Sequence, residues 1–127
     1  MKTHTINFRV YYEDTDAGKV VFYGNYLRFA ERARTEWLRE IGFNQSELDI
    51  FFVVRHVEID YLSPARLDDQ IRVETELQNI SRASITMTQN FYKGDVALAK
   101  MKVVLVTVNH EIRPVAIPQE IRAKLEE

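Results

Sequence analysis

The chain carries one long helical pattern, and the regular structure that follows it is almost entirely alternating. Phe29, Ala30, Ala33, Trp37, Leu38 and Ile41 recur at spacings of three and four, placing them on one face of a helix from about Tyr26 to Ile41. Then come Val53, Val57, Ile59 and Tyr61; Ile71, Val73, Thr75 and Leu77; Ile85, Met87, Gln89 and Phe91; and a last stretch from about Val96 to Asn109. Period-two patterns of this kind predict strands. Ser63-Pro64, Asn79 to Arg82 and Lys93-Gly94-Asp95 break the chain between them, and turns this short join antiparallel neighbours. A wide apolar helix face with one sheet to cover it predicts an α+β chain whose antiparallel sheet curves around the helix.

The remaining signals fit that plan. Ile6, Phe8, Val10 and Tyr12 alternate with Asn7 and Arg9 and predict a first strand over Ile6 to Tyr12. Arg32 with Glu36, and Glu31 with Arg34, have the spacing of helical ion pairs. Gly42 stands where the helix needs a left-handed residue to end, and Asn44-Gln45-Ser46-Glu47 has the form of a capping box. The run VVLVTV in the last strand is apolar on both faces and predicts a central position in the sheet. Ile117-Pro118 predicts the start of a short terminal helix. With 127 residues and no linker or repeat, a single domain over residues 1–127 is expected.

Composition narrows the function. The 17 basic and 19 acidic residues leave a net charge of −2, with no basic excess to mark a nucleic-acid or anionic-membrane partner. No apolar run approaches the ~18 residues of a membrane span, so no membrane insertion is expected. The start MKTHTINFRV lacks a signal-peptide core, and with no cysteine in the chain a cytoplasmic location is expected. The absence of cysteine also removes a thiol nucleophile and thiolate-bound zinc. Four scattered glycines, Gly18, Gly24, Gly42 and Gly94, write neither a P-loop nor a dinucleotide fingerprint. No serine lies in a G-x-S-x-G elbow, and His4, His56 and His110 are far apart and read as surface or rim residues.

Carboxylates remain. Asp14 and Asp16 follow the first strand and would share its inward side if the strand continued that far. A solvated acidic turn is one reading of EDTDAG. A divalent-metal site is another, but a hard cation needs further oxygen ligands, and the adjoining KVVFYGNY offers little beyond Asn25. A third reading gives the turn a chemical task. A carboxylate between a strand end and a helix start can supply a base or nucleophile beside backbone N–H donors able to stabilise an oxyanion. Phe22, Tyr23 and Tyr26 would exclude water there.

The segments RVYYEDTDAGKVVFYGNYLRFAERARTEWLREIGF and FVVRHVEIDYLSPARLDDQIRVETEL resemble the 4-hydroxybenzoyl-CoA thioesterase family, particularly its YbgC-like acyl-CoA thioesterase branch, over nearly the whole chain. The resemblance implies a hotdog fold, a five-stranded antiparallel sheet wrapped around one long helix. It implies hydrolysis of an acyl-CoA thioester without a cofactor or metal, in a homodimer or homotetramer with active sites at subunit interfaces. By the same resemblance Asp16, the second Asp of the D-x-D motif, is the nucleophile or general base, and the backbone N–H of Tyr23 polarises the thioester carbonyl. Ser63, Arg66, Arg82 and Ser84 are the positions that could hold CoA. Tyr23 stands where many YbgC-like relatives carry histidine, and Lys19 replaces a residue that is usually small or apolar; both changes bear on the acyl group. Some hotdog thioesterases use a carboxylate on the long helix, which makes Glu31 a second candidate beside its pairing with Arg34 or Arg28. Trp37 and Phe29 read as core, and Arg55, Arg66 and Arg72 as solvated strand residues. The competing functions on the same fold are a hydratase, whose acid and histidine pair is not evident here, an acyl-carrier-protein thioesterase, and a non-catalytic acyl-CoA-binding or scaffold protein.

Overall fold

The computed structural model describes residues 3–127. Strand β1 (Thr3–Arg9) leads through a loop to helix α1 (Asn25–Glu40), and then come β2 (Phe51–Tyr61), β3 (Gln70–Ile80), β4 (Ser84–Lys93), β5 (Val96–Val108) and the short helix α2 (Gln119–Glu126). All pairings are antiparallel and the sheet order is β1-β3-β4-β5-β2. This is the hotdog arrangement: α1 lies in the concave face, with its backbone running closest to β1 and β3. One half of the core packs Phe29, Ala30 and Ala33 of α1 against Ile71, Val73, Phe91 and Met101. The other half packs Trp37 and Leu38 against Ile85, Met87, Val103 and α2.

The local signals act as their chemistry requires. Gly42 ends α1 with φ of 101°, and Gly94 turns the β4–β5 hairpin with φ of 57°. The Asn44 side chain accepts from the Ser46 backbone N–H and holds one 3₁₀ turn, Gln45–Glu47. β5 is an interior strand, with β4 at the middle of the sheet.

Several expectations are corrected. The first strand ends at Arg9, not Tyr12: its pairing with β3 stops at Arg9 and Gln70, and the chain turns into a 3₁₀ turn over Tyr12–Asp14 that leaves Tyr12 82% exposed. Asp14 and Asp16 therefore do not continue the strand's inward face. In β2 a bulge at Arg55 shifts the alternation. Val54, Val57, Ile59 and Tyr61 pair with the buried Leu105, Val103, Met101 and Ala99 and share the concave face, whereas Val53 pairs with Val106 on the other. His4 is buried, stacked on Trp37 at 6.0 Å and bonded through Nε2 to Glu40 at 2.9 Å. The helix ion pairs also differ from the spacing prediction: Glu36 pairs with Arg39, Arg32 lies over the Phe29 ring, and Arg34 turns inward to Gln89.

Candidate active site

The loop between β1 and α1 is built around Asp14. Its Oδ2 accepts from the Tyr11 backbone N–H (2.8 Å), and its Oδ1 accepts from Asn25 Nδ2 (2.6 Å), so one buried carboxylate ties the start of the loop to the first residue of α1. The second half of the loop then folds back on the first. Phe22 N–H donates to Asp14 O, Thr15 bridges Val21, and Asp16 N–H donates to Val20 O. The tip of this small hairpin, Ala17 to Lys19, is held by the Asp16 carboxylate, whose Oδ1 accepts from Gly18 N–H at 2.8 Å. Lys19 has φ of 65° to close it. Gly18 approaches closely, because a Cβ there would sit 3.2 Å from Asp16 Oδ1.

The base of the hairpin runs into α1. Gly24 is the N-cap residue, no side chain among the described residues caps the helix, and no acidic residue lies in its first turn. The N–H groups of Asn25, Tyr26 and Leu27 donate back to Phe22, Tyr23 and Gly24 carbonyls. Those of Tyr23 and Gly24 make no hydrogen bond among the described residues. The positive end of the helix is thus left uncompensated beside open donors.

A cavity of about 300 Å³ adjoins these donors, lined by Val21, Tyr23, Tyr26, Tyr61, Leu62, Ser63 and Pro64. The Tyr61 hydroxyl donates to the Tyr23 carbonyl at 2.9 Å, which fixes the peptide that follows the Tyr23 N–H. Tyr26 and Tyr61 meet edge to face at 5.5 Å. Burial pushes both of their hydroxyls above the usual phenol range, each reinforced by a neighbouring tyrosine, so they stay protonated and act as donors at neutral pH. A neutral aromatic wall beside unpaired N–H donors can hold an apolar acyl group and draw negative charge onto a carbonyl oxygen.

The structure brings Tyr23 and Ser63 together in this cavity. Asp16 stands exposed at the hairpin tip on the same loop and does not line the cavity. Arg66 is joined to the loop by its bridge to Val20. Arg82 lies in the β3–β4 turn and Ser84 opens β4, at the opposite end of the sheet: β3 has 11 residues, so Ile80, where the turn begins, lies roughly 33 Å along the strand from Gln70. One chain does not bring them to Asp16. Glu31 forms no ion pair with Arg34 or Arg28 among the described residues. Among the described residues, no group of three or more His, Cys, Asp or Glu is placed to hold a metal ion, and no helix is long and apolar enough to cross a membrane.

Sequence reasoning missed Tyr61 and the Asp14–Asn25 pair. The Asp14–Asn25 contact spans 11 residues and the Tyr61–Tyr23 contact 38, with no spacing signature in either.

The fold and the site point to one class of protein, and comparison confirms it. Residues 18–100 match the family model described as the thioesterase superfamily, and the chain belongs to that superfamily, whose hydrolytic activity on thioesters it shares. The chain is 44% identical over 120 residues to the acyl-CoA thioesterase YbgC of Haemophilus influenzae, covering 91% of this chain and 88% of that one. It is 40% identical over 124 residues to an acyl-CoA thioester hydrolase YbgC of Escherichia coli, covering 94% and 92%. Among solved structures, a probable thioesterase from Bartonella henselae superposes with a TM-score of 0.89 at 36% identity, covering 91% of this chain and 99% of that one.

Proposed function

We propose that the chain, acting as one domain in the cytoplasm, hydrolyses the thioester of a short-chain or aromatic acyl-CoA to the free acid and CoA. The observation that carries this reading is the pair of N–H groups at Tyr23 and Gly24, unpaired among the described residues and set against an aromatic cavity of about 300 Å³. The thioester carbonyl oxygen accepts from the Tyr23 N–H, and the acyl group enters the tyrosine-lined cavity. Asp16 acts at the carbonyl carbon, either by attacking it directly or by taking a proton from the water that does. In both cases the C–S bond breaks and CoA leaves as the thiol after protonation; after direct attack, water then hydrolyses the acyl-Asp16 anhydride to release the acid and restore the carboxylate. The cavity's size supports a small acyl group.

The reading includes a homodimer or homotetramer. β2 is an edge strand with Phe51, Val54, Val57 and Tyr61 exposed along it, and an apolar edge of that length calls for a cover. A second subunit also supplies what one chain lacks near Asp16. Ser63 and Arg66 hold the near part of CoA, while Arg82 and Ser84 contribute from a partner. No metal or cofactor takes part.

The test is free-thiol release across a panel of short-chain and aromatic CoA thioesters, before and after exhaustive EDTA treatment. Turnover of at least one substrate that survives chelation supports the reading. Binding without thiol release would make the chain a non-catalytic acyl-CoA binder, and recovery of lost activity by magnesium or manganese would restore the metal reading of D-x-D.

A further inference from the structure

Two open N–H groups head α1, but the chain holds their peptides unequally. The peptide that carries the Tyr23 N–H ends in the Phe22 carbonyl, and the Asn25 N–H anchors that oxygen at 2.8 Å. The peptide that carries the Gly24 N–H ends in the Tyr23 carbonyl. There the only backbone donor among the described residues is the Tyr26 N–H at 3.4 Å, longer than a good N–H···O bond. The short contact to this oxygen comes from a side chain, the Tyr61 hydroxyl at 2.9 Å. Both carbonyls face the N–H groups of the first helical turn, and in a trans peptide the N–H points the opposite way. The Tyr23 and Gly24 N–H groups therefore both point out of the N-terminal end of α1.

Tyr61 is built to hold a loop peptide still. It is the last residue of β2 and pairs with Ala99, and the next two N–H groups, of Leu62 and Ser63, both donate to Leu98 O of β5. Two rings of the contacted segment meet the Tyr61 ring edge to face, Tyr26 at 5.5 Å and Tyr23 at 6.1 Å. Burial, reinforced by Tyr23, raises the hydroxyl above the usual phenol range, so it keeps the proton it donates. A strand braced by the sheet is thus tied to a peptide that its own turn holds weakly.

Resting on the thioesterase reading above, we infer that Tyr61 is a positioning residue for the reaction: its hydroxyl fixes the Tyr23–Gly24 peptide so that the Gly24 N–H joins the Tyr23 N–H as a second donor to the thioester oxygen. Negative charge grows on that oxygen as the carbonyl carbon becomes tetrahedral, and donors fixed beforehand need no rearrangement at that moment. Donation into the carbonyl of a peptide also polarises the peptide and strengthens its N–H as a donor. Tyr61 acts through the peptide, because its proton is already engaged by Tyr23 O.

Tyr61→Phe removes the hydroxyl and keeps the ring. Losing a whole oxyanion donor costs about 10²–10³ in kcat, so loosening one of two should cost roughly tenfold. KM should stay nearly unchanged, because the aromatic wall is intact. Tyr61→Leu removes ring and hydroxyl together; its melting temperature should fall further, while its kcat stays near that of Tyr61→Phe. A kcat that instead falls in step with melting temperature across the two variants would make the role merely structural. If Tyr61→Leu does not fold, Tyr61→Phe and infrared spectroscopy decide the matter. The probe is a CoA ketone in which a methylene replaces the thioester sulfur, isotope-labelled at the carbonyl. Its bound C=O stretch should lie higher in Tyr61→Phe than in wild type, since a carbonyl with a weakened hydrogen bond stiffens. Wild-type kcat in folded Tyr61→Phe, or the same stretch in both proteins, overturns the inference and leaves the thioesterase reading standing. A wild-type chain that releases no thiol from any CoA thioester overturns that reading, and this inference with it.

Discussion

Asp14 and Asp16 are two residues apart in sequence, and replacing each with asparagine should cause opposite failures. Asp14 is buried, and its two oxygens accept from the Tyr11 N–H and the Asn25 amide. Asparagine keeps one acceptor oxygen for the Tyr11 N–H and turns an NH₂ group towards Asn25, whose amide must turn over to accept from it, so two hydrogen bonds to a charged group become neutral ones. Such a change costs about 1.5–3 kcal/mol. For a chain of this size that corresponds to a fall in melting temperature of roughly 5–12 °C. Asp16 is exposed and makes one side-chain hydrogen bond, to the Gly18 N–H, which the Oδ1 of asparagine can still accept. Asp16→Asn should therefore melt with wild type but lose at least ~10²-fold in kcat, since the amide neither attacks a carbonyl nor takes a proton from water. Calorimetry of both variants, alongside thiol-release kinetics, separates the two roles. If Asp14→Asn melts with wild type, Asp14 is not the tie described above; if Asp16→Asn keeps its kcat, Asp16 is not in the mechanism.

Three further outcomes are expected. Burial lowers the His4 pKa below its ordinary value despite Glu40 and Glu36, so the unfolded chain takes up that proton more readily than the folded one; stability from this site is full above pH ~6.5 and is lost as pH falls through the lowered value. Melting temperatures should drop on acidification through that window, and His4→Phe should flatten this part of the profile; an unchanged slope would exclude His4 as its source. A Cβ at Gly24 would lie 2.7 Å from Phe22 Cε2, so Gly24→Ala must displace that ring beside the Tyr23 N–H; it should lower kcat with the fold intact by circular dichroism, and wild-type kcat would show that the donors tolerate the shift. Arg82→Ala should raise KM for an acyl-CoA with kcat nearly unchanged, lose its effect in high salt, and leave a pantetheine thioester unaffected; equal losses on both substrates would place the nucleotide site elsewhere.

The parts of the fold legible in the sequence are those set by local chemistry. α1 follows from its apolar spacing, its end from Gly42, and the β4–β5 hairpin from Lys93-Gly94-Asp95, because each signal lies within a few residues of the structure it specifies. Where the outcome depends on a distant partner, the sequence is silent. The alternation through Tyr12 suggests a longer first strand, but hydrogen bonding at Asp14, completed by Asn25, bends the chain away after Arg9. Nothing local shows that β1 pairs with β3 and leaves β2 at an edge, or that His4 turns inward against Trp37. The same division holds at the site. Tyr23 and Ser63, carried over from the family resemblance, do meet in one cavity, while the Tyr61 hydroxyl reaches the Tyr23 carbonyl from the end of β2, 38 residues away. Arg82 and Ser84 lie at the far end of the sheet, a separation visible only once the strand register is known.

The bulge in β2 has a consequence for how this strand can change length. An unbroken strand through this segment would place Arg55, two residues before Val57, on the concave face and turn Val54 outward. The extra residue avoids both, because Val54 and His56 pair with the adjacent Leu105 and Val104 and Arg55 has no opposite number. Deleting Arg55 would thus close the ladder without turning any neighbouring side chain over. Most strands cannot lose one residue without inverting half their length. Here β2 can be shortened by one at that point with every apolar contact to β5 preserved.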